Sequence, residues 1–269
     1  MQSARKIAVT GATGRVGRHV ADVLEAQGHD VIRISRSSGV DLITREGLAE
    51  ALAGVEAVVD AATQPLPDQE AATAFFTTAA ENLQEVGAES GVQRIVVVSI
   101  VGADRFSGGF LAASAVHERV ISAGPIPVRI LRATQFHEFV PSMVEWGRQG
   151  DVIYVPRTRT QLVAARSVAE ALADLAIASG AVPEPDSAPI PEIAGPREER
   201  LVEIARLLVS RGGESVRVEE VSNPSDPDDE LLASGALLPG PDATLAGPTF
   251  EEWLDAEGVA QSSLAAGGS

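Results

Sequence analysis

The fold of this chain is decided by residues 7–17, which read IAVTGATGRVG. An apolar run typical of a buried strand leads directly into a glycine-rich turn, and a helical pattern follows. Gly11 permits a tight turn, Gly14 lets backbone approach a pyrophosphate, and Gly17 lets the helix pack closely on the strand. The first turn of such a helix presents free N–H groups to an anion. The stretch therefore predicts a dinucleotide-binding unit, in preference to a merely flexible glycine turn.

The rest of the first half repeats this alternation of strand and helix. Short apolar and β-branched runs predict buried strands at residues 31–35, 57–61, 94–101 and 128–131. Apolar residues at helical spacing predict helices at 44–53, 70–89 and 110–122. Repeated βα units with buried strands indicate an α/β fold, a Rossmann-type doubly wound parallel sheet.

Beyond residue 134 the pattern is less regular. The sequence predicts a helix over 167–179 that starts with a capping box from Ser167 to Glu170, a late strand over 190–194, helices over 201–210 and 249–254, and a solvated acidic loop over 223–229. We predict a dinucleotide-binding region over residues 1–134 and a smaller C-terminal substrate lobe over 135–260, packed on it as one compact unit. Small polar residues predict a disordered tail over 261–269.

Composition limits the class of partner. The formal net charge of −17 argues against nucleic acid or an anionic membrane surface. The chain has no cysteine, and no other metal-ligand spacing stands out, so we expect no metal site. The early strand leaves no room for a signal peptide, and no apolar run reaches membrane-spanning length. We expect a cytoplasmic protein that acts on a small-molecule substrate, and the sequence leaves its oligomeric state open.

Four segments carry a resemblance to a known family. They are TGATGRVG at residues 10–17, VVVS at 96–99, ILRATQFHEF at 130–139 and TFEEWL at 249–254. In these segments the chain resembles the atypical short-chain dehydrogenase/reductases, specifically the NmrA-like NAD(P)H-binding proteins. The resemblance covers most of the chain and implies a nicotinamide cofactor, but it names no substrate.

The end of the second predicted strand bears on the choice between NAD and NADP(H). Residues 34–38, ISRSS, supply no carboxylate, one guanidinium and three hydroxyls. An NAD site places an acid here for the ribose 2′-hydroxyl, whereas an arginine pairs with a 2′-phosphate. The segment therefore favours NADP(H) through Arg36 and Ser37, with Arg15 helping from the other side; an ordinary surface turn is the alternative.

Further cofactor contacts follow from the resemblance. It implies that Asp41 and Leu42 lie beside the adenine and that residues 61–63 flank the adenosine ribose. The complete set of predicted cofactor residues is Gly11, Thr13, Gly14, Arg15, Val16, Gly17, Arg36, Ser37, Asp41, Leu42, Ala61, Ala62, Thr63, Ser99 and Ser114.

The catalytic pair that the resemblance implies is missing. Typical members of the superfamily carry a Tyr and, four residues later, a Lys on the helix after the Ser-bearing strand. The corresponding positions hold Phe110 and Ser114. The chain has one tyrosine, Tyr154, and one lysine, Lys6, and both lie outside this helix. The usual pair therefore cannot form.

Three side chains are candidates for the missing chemistry. Ser99 ends its strand at the position of the superfamily's catalytic serine, with strand-end capping as the alternative. His137 and His117 are candidate proton donors because imidazole titrates near neutrality, although each fits a structural histidine as well. A predicted apolar wall for a planar substrate consists of Phe110, Phe136, His137, Phe139 and Trp146. Packing of these aromatic residues in the second lobe is the alternative.

Three functions fit these residues. The first is an NADPH-dependent reductase that transfers hydride to a small apolar or conjugated carbonyl, such as a quinone. The second is a non-catalytic protein of NmrA type that senses NADP(H) and regulates a partner. The third is a non-redox use of the fold, such as isomerisation or cyclisation.

Overall fold

A central sheet of seven parallel strands organises the molecule, whose computed structural model describes residues 3–64, 68–180 and 189–257. In spatial order the strands are β2 (Asp30–Ile34), β1 (Lys6–Thr10), β3 (Ala57–Asp60), β4 (Arg94–Ile100), β5 (Val128–Ala133), β9 (Glu192–Ala194) and β12 (Thr244–Leu245). The chain places β2 on one side of β1 and then crosses back to build β3 on the other. The gap between β1 and β3 is therefore the topological switch point, where sheets of this kind bind ligands.

Helices cover both faces of this sheet. On one face α1 (Gly17–Ala26) and α6 (Ala165–Ile177) pack on the apolar side chains of β1, β3 and β4. The other face is covered by α2 (Leu48–Leu52), α3 (Gln69–Glu89) and α4 (Gly109–Ser122). The interiors of β1, β3 and β4 are largely buried, as strands covered on both faces require, whereas β2 and β5 are mostly half-buried. The predicted α/β fold with a doubly wound parallel sheet is confirmed.

A third core lies in the C-terminal half. Apolar residues of the helices α5 (Val140–Trp146), α7 (Leu201–Arg211) and α9 (Phe250–Glu257) pack there with those of β7 (Val152–Pro156) and β11 (Arg217–Val221), which form a small sheet with β6 (Arg148–Gln149). The same half contains the ribbon of β8 (Arg159–Thr160) and β10 (Glu199–Arg200), and α8 (Asp229–Ser234), which packs separately against Phe106, Ala236 and Leu237. The same half also adds the strands β9 and β12 to the central sheet and packs α6 against it. The chain therefore passes more than once between the central sheet and the third core. The predicted tail over 261–269 lies outside the described residues.

Two helix starts differ from their predictions. The helix predicted from residue 44 begins only at Leu48, because Arg45 and Gly47 both have a φ of 67° and interrupt the helical path. The helix predicted to begin with a Ser167 capping box begins at Ala165 instead. Both carboxylate oxygens of Glu138 lie 3.1 Å from the Ala165 N–H and accept from it. The Glu138 carboxylate, which is distant in the sequence, thus accepts at the start of α6 in place of the predicted Ser167 cap.

The acidic loop at 223–229 is not wholly solvated. Asp228 is buried, and its carboxylate accepts hydrogen bonds from the backbone N–H of Ser107 at 2.8 Å and of Gly108 at 3.0 Å. The Ser107 hydroxyl donates to the same carboxylate at 3.0 Å. Because Ser107 and Gly108 directly precede α4, Asp228 anchors the chain at the start of that helix from the C-terminal half.

Candidate functional site

The glycine loop lies at the switch point between β1 and β3. Gly11 has a φ of +61°, and a Cβ there would lie 2.4 Å from the Ala61 carbonyl oxygen. A Cβ on Gly17 would lie 2.3 Å from the Gly11 carbonyl oxygen. The turn therefore needs glycine at both positions. A side chain on Gly11 would collide with the residue after β3, and a side chain on Gly17 would collide with the glycine loop at the start of α1. Gly14 is less crowded, because the atom nearest to a Cβ added there would be the Gly11 oxygen at 3.1 Å.

The start of α1 lacks a side-chain cap. Val16 occupies the N-cap position, no side chain accepts from the first turn, and that turn contains no acidic residue. Thr13 and Arg15 are exposed beside it, whereas Val16 is buried in the core below. Uncapped N–H groups together with the positive end of the helix dipole form a surface that favours an anion.

Arg15 points toward the C-terminal half of the chain. Its guanidinium donates to the Ser142 hydroxyl at 3.2 Å and lies 5.7 Å from the centre of the Phe139 ring. In this structure Arg15 thus joins the glycine loop to α5. The expectation that it helps Arg36 from the opposite side is not supported by this orientation.

The segment after β2 forms a short 3₁₀ turn, Arg36–Ser38. The Ser35 hydroxyl accepts from the Ser38 N–H at 3.3 Å and lies 2.9 Å from the Ser37 hydroxyl. The side chains of Arg36 and Ser37 are exposed, and no carboxylate pairs with Arg36 in the described part of the chain. The turn therefore presents a guanidinium and hydroxyls to solvent.

The predicted adenine-side pair has a structural role as well. One carboxylate oxygen of Asp41 accepts from the N–H groups of Ile43 at 2.7 Å and Thr44 at 3.1 Å. The Leu42 side chain is buried, and its carbonyl oxygen accepts from Asn82 at 2.7 Å. Both residues fix the turn before α2, which leaves the other Asp41 oxygen for a ligand.

The predicted ribose-side residues follow β3 directly. Ala61 and Ala62 are half-buried and Thr63 is exposed. Because the Ala61 carbonyl lies against Gly11, this segment and the glycine loop form adjoining walls of one crevice. The crevice lies at the carboxyl ends of β1 and β3, where the sequence placed the nucleotide.

On the other side of the switch point, the predicted serines are buried. Ser99 lies near the end of β4, and its hydroxyl has no hydrogen-bond partner among the described residues. The Ser114 hydroxyl donates to the Phe110 carbonyl within α4 at 2.9 Å. Ser114 is therefore oriented into its own helix rather than toward a nicotinamide ribose. Phe110, one turn earlier, is 43% exposed and is the accessible group of this helix end.

His137 is not placed to donate a proton to a substrate. It is fully buried, between 5.5 Å contacts with the rings of Phe250 and Trp253, and its Nε2 lies 3.1 Å from the Pro248 carbonyl oxygen. Burial lowers the pKa of His137 to about 4, against a smaller opposing effect of the hydrogen bond to Pro248. The ring is thus neutral near pH 7 and packs inside the third core. A catalytic, substrate-lining His137 stays a prediction, and this packing matches its alternative, a structural histidine.

His117 is also buried, but it contacts a carboxylate. Its Nε2 lies 3.2 Å from an oxygen of Asp60, the last residue of β3, and its ring stacks on Phe76 with 4.8 Å between centroids. Neither partner is a candidate from the sequence. The sequence does carry one signal for Asp60: it is an acidic residue that directly follows three apolar residues at the end of a predicted strand.

The predicted aromatic wall does not form one surface. Phe136 packs on the central core, Phe110 contacts Phe76, and Phe139 contacts Trp146 edge to face at 5.4 Å. Trp146 is 72% exposed. The aromatic residues that surround His137 come instead from α9, at the far end of the sequence. The predicted residues are close in the sequence, but they pack in different places, so they do not assemble into one wall.

The described ranges 3–64, 68–180 and 189–257 contain neither a cluster of metal-binding side chains nor a helix that could span a membrane. These ranges contain no group of three His, Asp or Glu side chains arranged to hold a metal ion. They also contain no helix with the length and apolar character needed to cross a membrane.

Comparison with known proteins agrees with this architecture. Residues 7–102 match the NAD dependent epimerase/dehydratase family, which is a match to the first part of the chain only. No curated protein matches the sequence. The narrower NmrA-like resemblance therefore stays a prediction based on its motifs.

Several solved structures share the fold. A short-chain dehydrogenase/reductase superfamily protein from Agrobacterium tumefaciens with bound NAD is 16% identical, with 95% of this chain and 97% of that chain covered at a TM-score of 0.64. The UDP-N-acetylglucosamine 4-epimerase from Bacillus cereus is 17% identical, with 93% of each chain covered and a TM-score of 0.64. The Citrobacter sp. triphenylmethane reductase complexed with NADP(H) is 18% identical, with 93% and 99% covered and a TM-score of 0.60. At these identities the likeness establishes the fold.

Proposed function

We propose that this protein binds NADPH at the glycine loop and transfers hydride from it to a small apolar or conjugated carbonyl substrate, such as a quinone. The observation that carries the proposal is the crevice at the switch point. There Gly11 is pressed against Ala61, and the start of α1 has no side-chain cap. A backbone cradle of this kind matches a pyrophosphate, which needs close approach and N–H donors.

Arg36 supports NADPH over NADH. It is exposed on the turn after β2, beside the hydroxyl of Ser37 and away from any carboxylate partner in the described residues. A guanidinium binds a phosphate dianion through charge-assisted hydrogen bonds, whereas the ribose hydroxyls of NADH offer it no charge. Among the similar structures, the triphenylmethane reductase was solved with NADP(H) and the Agrobacterium tumefaciens protein with NAD, so the fold allows both.

The residues on the nicotinamide side suit an easily reduced acceptor. Bound NADPH would supply the hydride, and the protein would bind, orient and desolvate the substrate. Phe110 offers an exposed ring at the start of α4, the Ser99 hydroxyl has no partner among the described residues, and no Tyr–Lys pair is present to protonate an alkoxide. Reduction of a quinone produces a delocalised anion that water can protonate, so it needs less acid assistance than reduction of a simple ketone.

Burial of the predicted proton donors favours one alternative, a protein that senses NADP(H) without turning it over. His137 lies inside the third core, and His117 is buried against Asp60. A sensor needs the cofactor crevice but no acid. It would bind NADPH as tightly as a reductase does and would oxidise none.

Cofactor selection is tested with Arg36→Glu, which places a negative charge where the 2′-phosphate is proposed to bind. We expect the Kd for NADPH to rise by about tenfold or more, with little change for NADH, because one charge-assisted contact is worth about 1.5–3 kcal/mol. Arg217→Glu makes the same charge change on β11 and serves as the control. Equal weakening of both cofactors would refute the role of Arg36.

Turnover separates the reductase from the sensor. The wild-type protein is saturated with NADPH, and loss of reduced-nicotinamide absorbance is followed with quinones and enones. In a separate arm the protein receives NAD⁺ or NADP⁺ and a UDP-sugar, whose C–H donates hydride to the oxidised nicotinamide, and conversion of the sugar is followed. Reduction of a quinone supports the reductase. Tight NADPH binding with no acceptor in the panel reduced would favour the sensor, and turnover of the UDP-sugar alone would replace the proposed substrate class.

A further inference from the structure

A buried polar cluster centred on Asp60 lies at the switch point, where the nucleotide is proposed to bind. Asp60 is the last residue of β3, Thr10 is the last residue of β1, and the two are paired in register at the switch point. Asp60 is 3% exposed and Thr10 is 0% exposed. Since a carboxylate removed from water costs free energy unless it is compensated, this position needs an explanation.

The Asp60 carboxylate joins three separate parts of the chain. One oxygen accepts from the Thr10 hydroxyl in a short hydrogen bond and from the Ala62 N–H at 3.2 Å. The other oxygen lies 3.2 Å from Nε2 of His117 on α4. Thr10 leads into the glycine loop, and Ala62 belongs to the ribose-side segment. Asp60 is therefore the common contact of the loop, that segment and α4.

The surroundings favour a charged Asp60. Burial raises the pKa of its carboxyl, but the contacts with His117, Thr10 and the Ala62 N–H together outweigh burial and hold the pKa below its usual value. The ring of Phe76 covers His117 at 4.8 Å. The pair is thus shielded from solvent by protein.

Stability alone does not account for this pair. A buried pair of titratable side chains is on average no better for stability than apolar residues of the same volume, because desolvation offsets the attraction. What the pair offers is geometry: the close contact between the two side chains holds α4, which carries Phe110, against the end of β3. Preorganised contacts of this kind raise affinity by lowering the ordering cost on binding.

We propose that Asp60 and His117 are positioning residues, which hold the glycine loop and α4 in the relative placement that lets one dinucleotide contact both sides of the switch point. The inference rests on the proposed NADPH site. Neither side chain touches the ligand in this proposal; both act through the backbone of the loop and through α4. Their loss should therefore affect ligands that span the switch point more than ligands that occupy the adenine side alone.

The test compares NADPH with adenosine 2′,5′-bisphosphate, which corresponds to the adenine side alone. In His117→Phe we expect the Kd for NADPH to rise by about tenfold, while the Kd for the bisphosphate changes by less than about twofold. His117→Gln keeps an N–H donor near the Nε2 position and should recover most of the NADPH affinity. Arg119→Gln, an exposed change on the same helix, is the matched control.

Asp60→Asn provides a second, isosteric variant in case His117→Phe fails to fold. It removes the charge while keeping an oxygen for Thr10 and Ala62, and it should also weaken NADPH selectively. Unchanged NADPH affinity in both variants would overturn the positioning role, and so would equal weakening of both ligands, which indicates general loosening. If wild-type protein binds neither ligand, the proposed function itself fails along with the inference.

Discussion

The three glycines of the glycine loop differ in how much space a side chain would have at each position. Gly11 and Gly17 have backbone oxygens 2.4 Å and 2.3 Å from where a Cβ would lie, whereas Gly14 has its nearest neighbour at 3.1 Å and a φ outside the left-handed region. Folding therefore explains two of these glycines. For Gly14, folding gives no comparable reason, and the space above it is where the proposal places the pyrophosphate.

Gly14→Ala should therefore affect binding more than folding. We expect the free energy of unfolding to change by less than about 1 kcal/mol, because the Gly11 oxygen needs to move only slightly. The Kd for NADPH should rise by about tenfold or more, since the methyl group occupies the path of the phosphates. Titration calorimetry and urea unfolding measure the two effects. Gly17→Ala is the contrasting variant: it should lose stability first, and a Gly14→Ala protein that binds NADPH normally would count against the site.

Histidines show the limit of sequence reasoning at this scale. His137 follows β5, which marked it as accessible, but its burial is decided by Phe250, Trp253 and a carbonyl 111 positions later in the chain. His117 was a candidate for chemistry, and its partner Asp60 became visible only when β3 and α4 were brought together. Residue type identified titratable groups, while long-range packing decided what each one contacts.

The buried His137 predicts an acid-labile fold. Its folded pKa of about 4 is below the unfolded value of 6.5, so the unfolded chain takes up the proton first. The contribution of the buried His137 to the free energy of unfolding is therefore fully present above pH 6.5. It is lost as the pH is lowered toward 4, and the loss amounts to roughly 3 kcal/mol. His137→Gln, which retains a donor for Pro248, should flatten that part of the pH profile in urea unfolding. An unchanged slope between pH 6.5 and 4 would contradict the assignment.

At the scale of elements, the strands and long helices were predictable because their apolar spacing is local. The Rossmann-type first half followed from it, and Thr249 and Glu252 form a capping box at the predicted start of α9. The starts of α2 and α6 were not predictable to the same degree. Left-handed residues delay α2, and the carboxylate of Glu138 fixes the start of α6.

The contact between Asp228 and the segment before α4 predicts how the two halves support each other. Asp228→Ala removes the acceptor for the N–H groups of Ser107 and Gly108, so we expect a loss of about 1–2 kcal/mol in the free energy of unfolding. Asp228→Asn should lose less, because its amide oxygen still accepts from a backbone N–H. Glu230→Gln is the control, since that carboxylate is 82% exposed in its pair with Arg157. Equal stability of Asp228→Ala and this control would show that the contact contributes nothing.

At the scale of the whole molecule, a strongly acidic protein is proposed to bind an anionic cofactor. With a formal net charge of −17, the long-range field opposes NADPH, so affinity must come from local groups. In the proposal, the uncapped start of α1 and the exposed Arg36 supply them. The net charge argues against whole classes of partner, but only the local arrangement of the loop and the turn favours a particular ligand.

The most direct test of the proposed NADPH site is a calorimetric titration of the wild-type protein with NADPH and with NADH at one salt concentration. We expect one site per chain and an NADPH Kd at least about tenfold lower than that for NADH, because one charge-assisted phosphate contact supplies that difference. Failure to bind either cofactor, or tighter binding of NADH, would contradict the site.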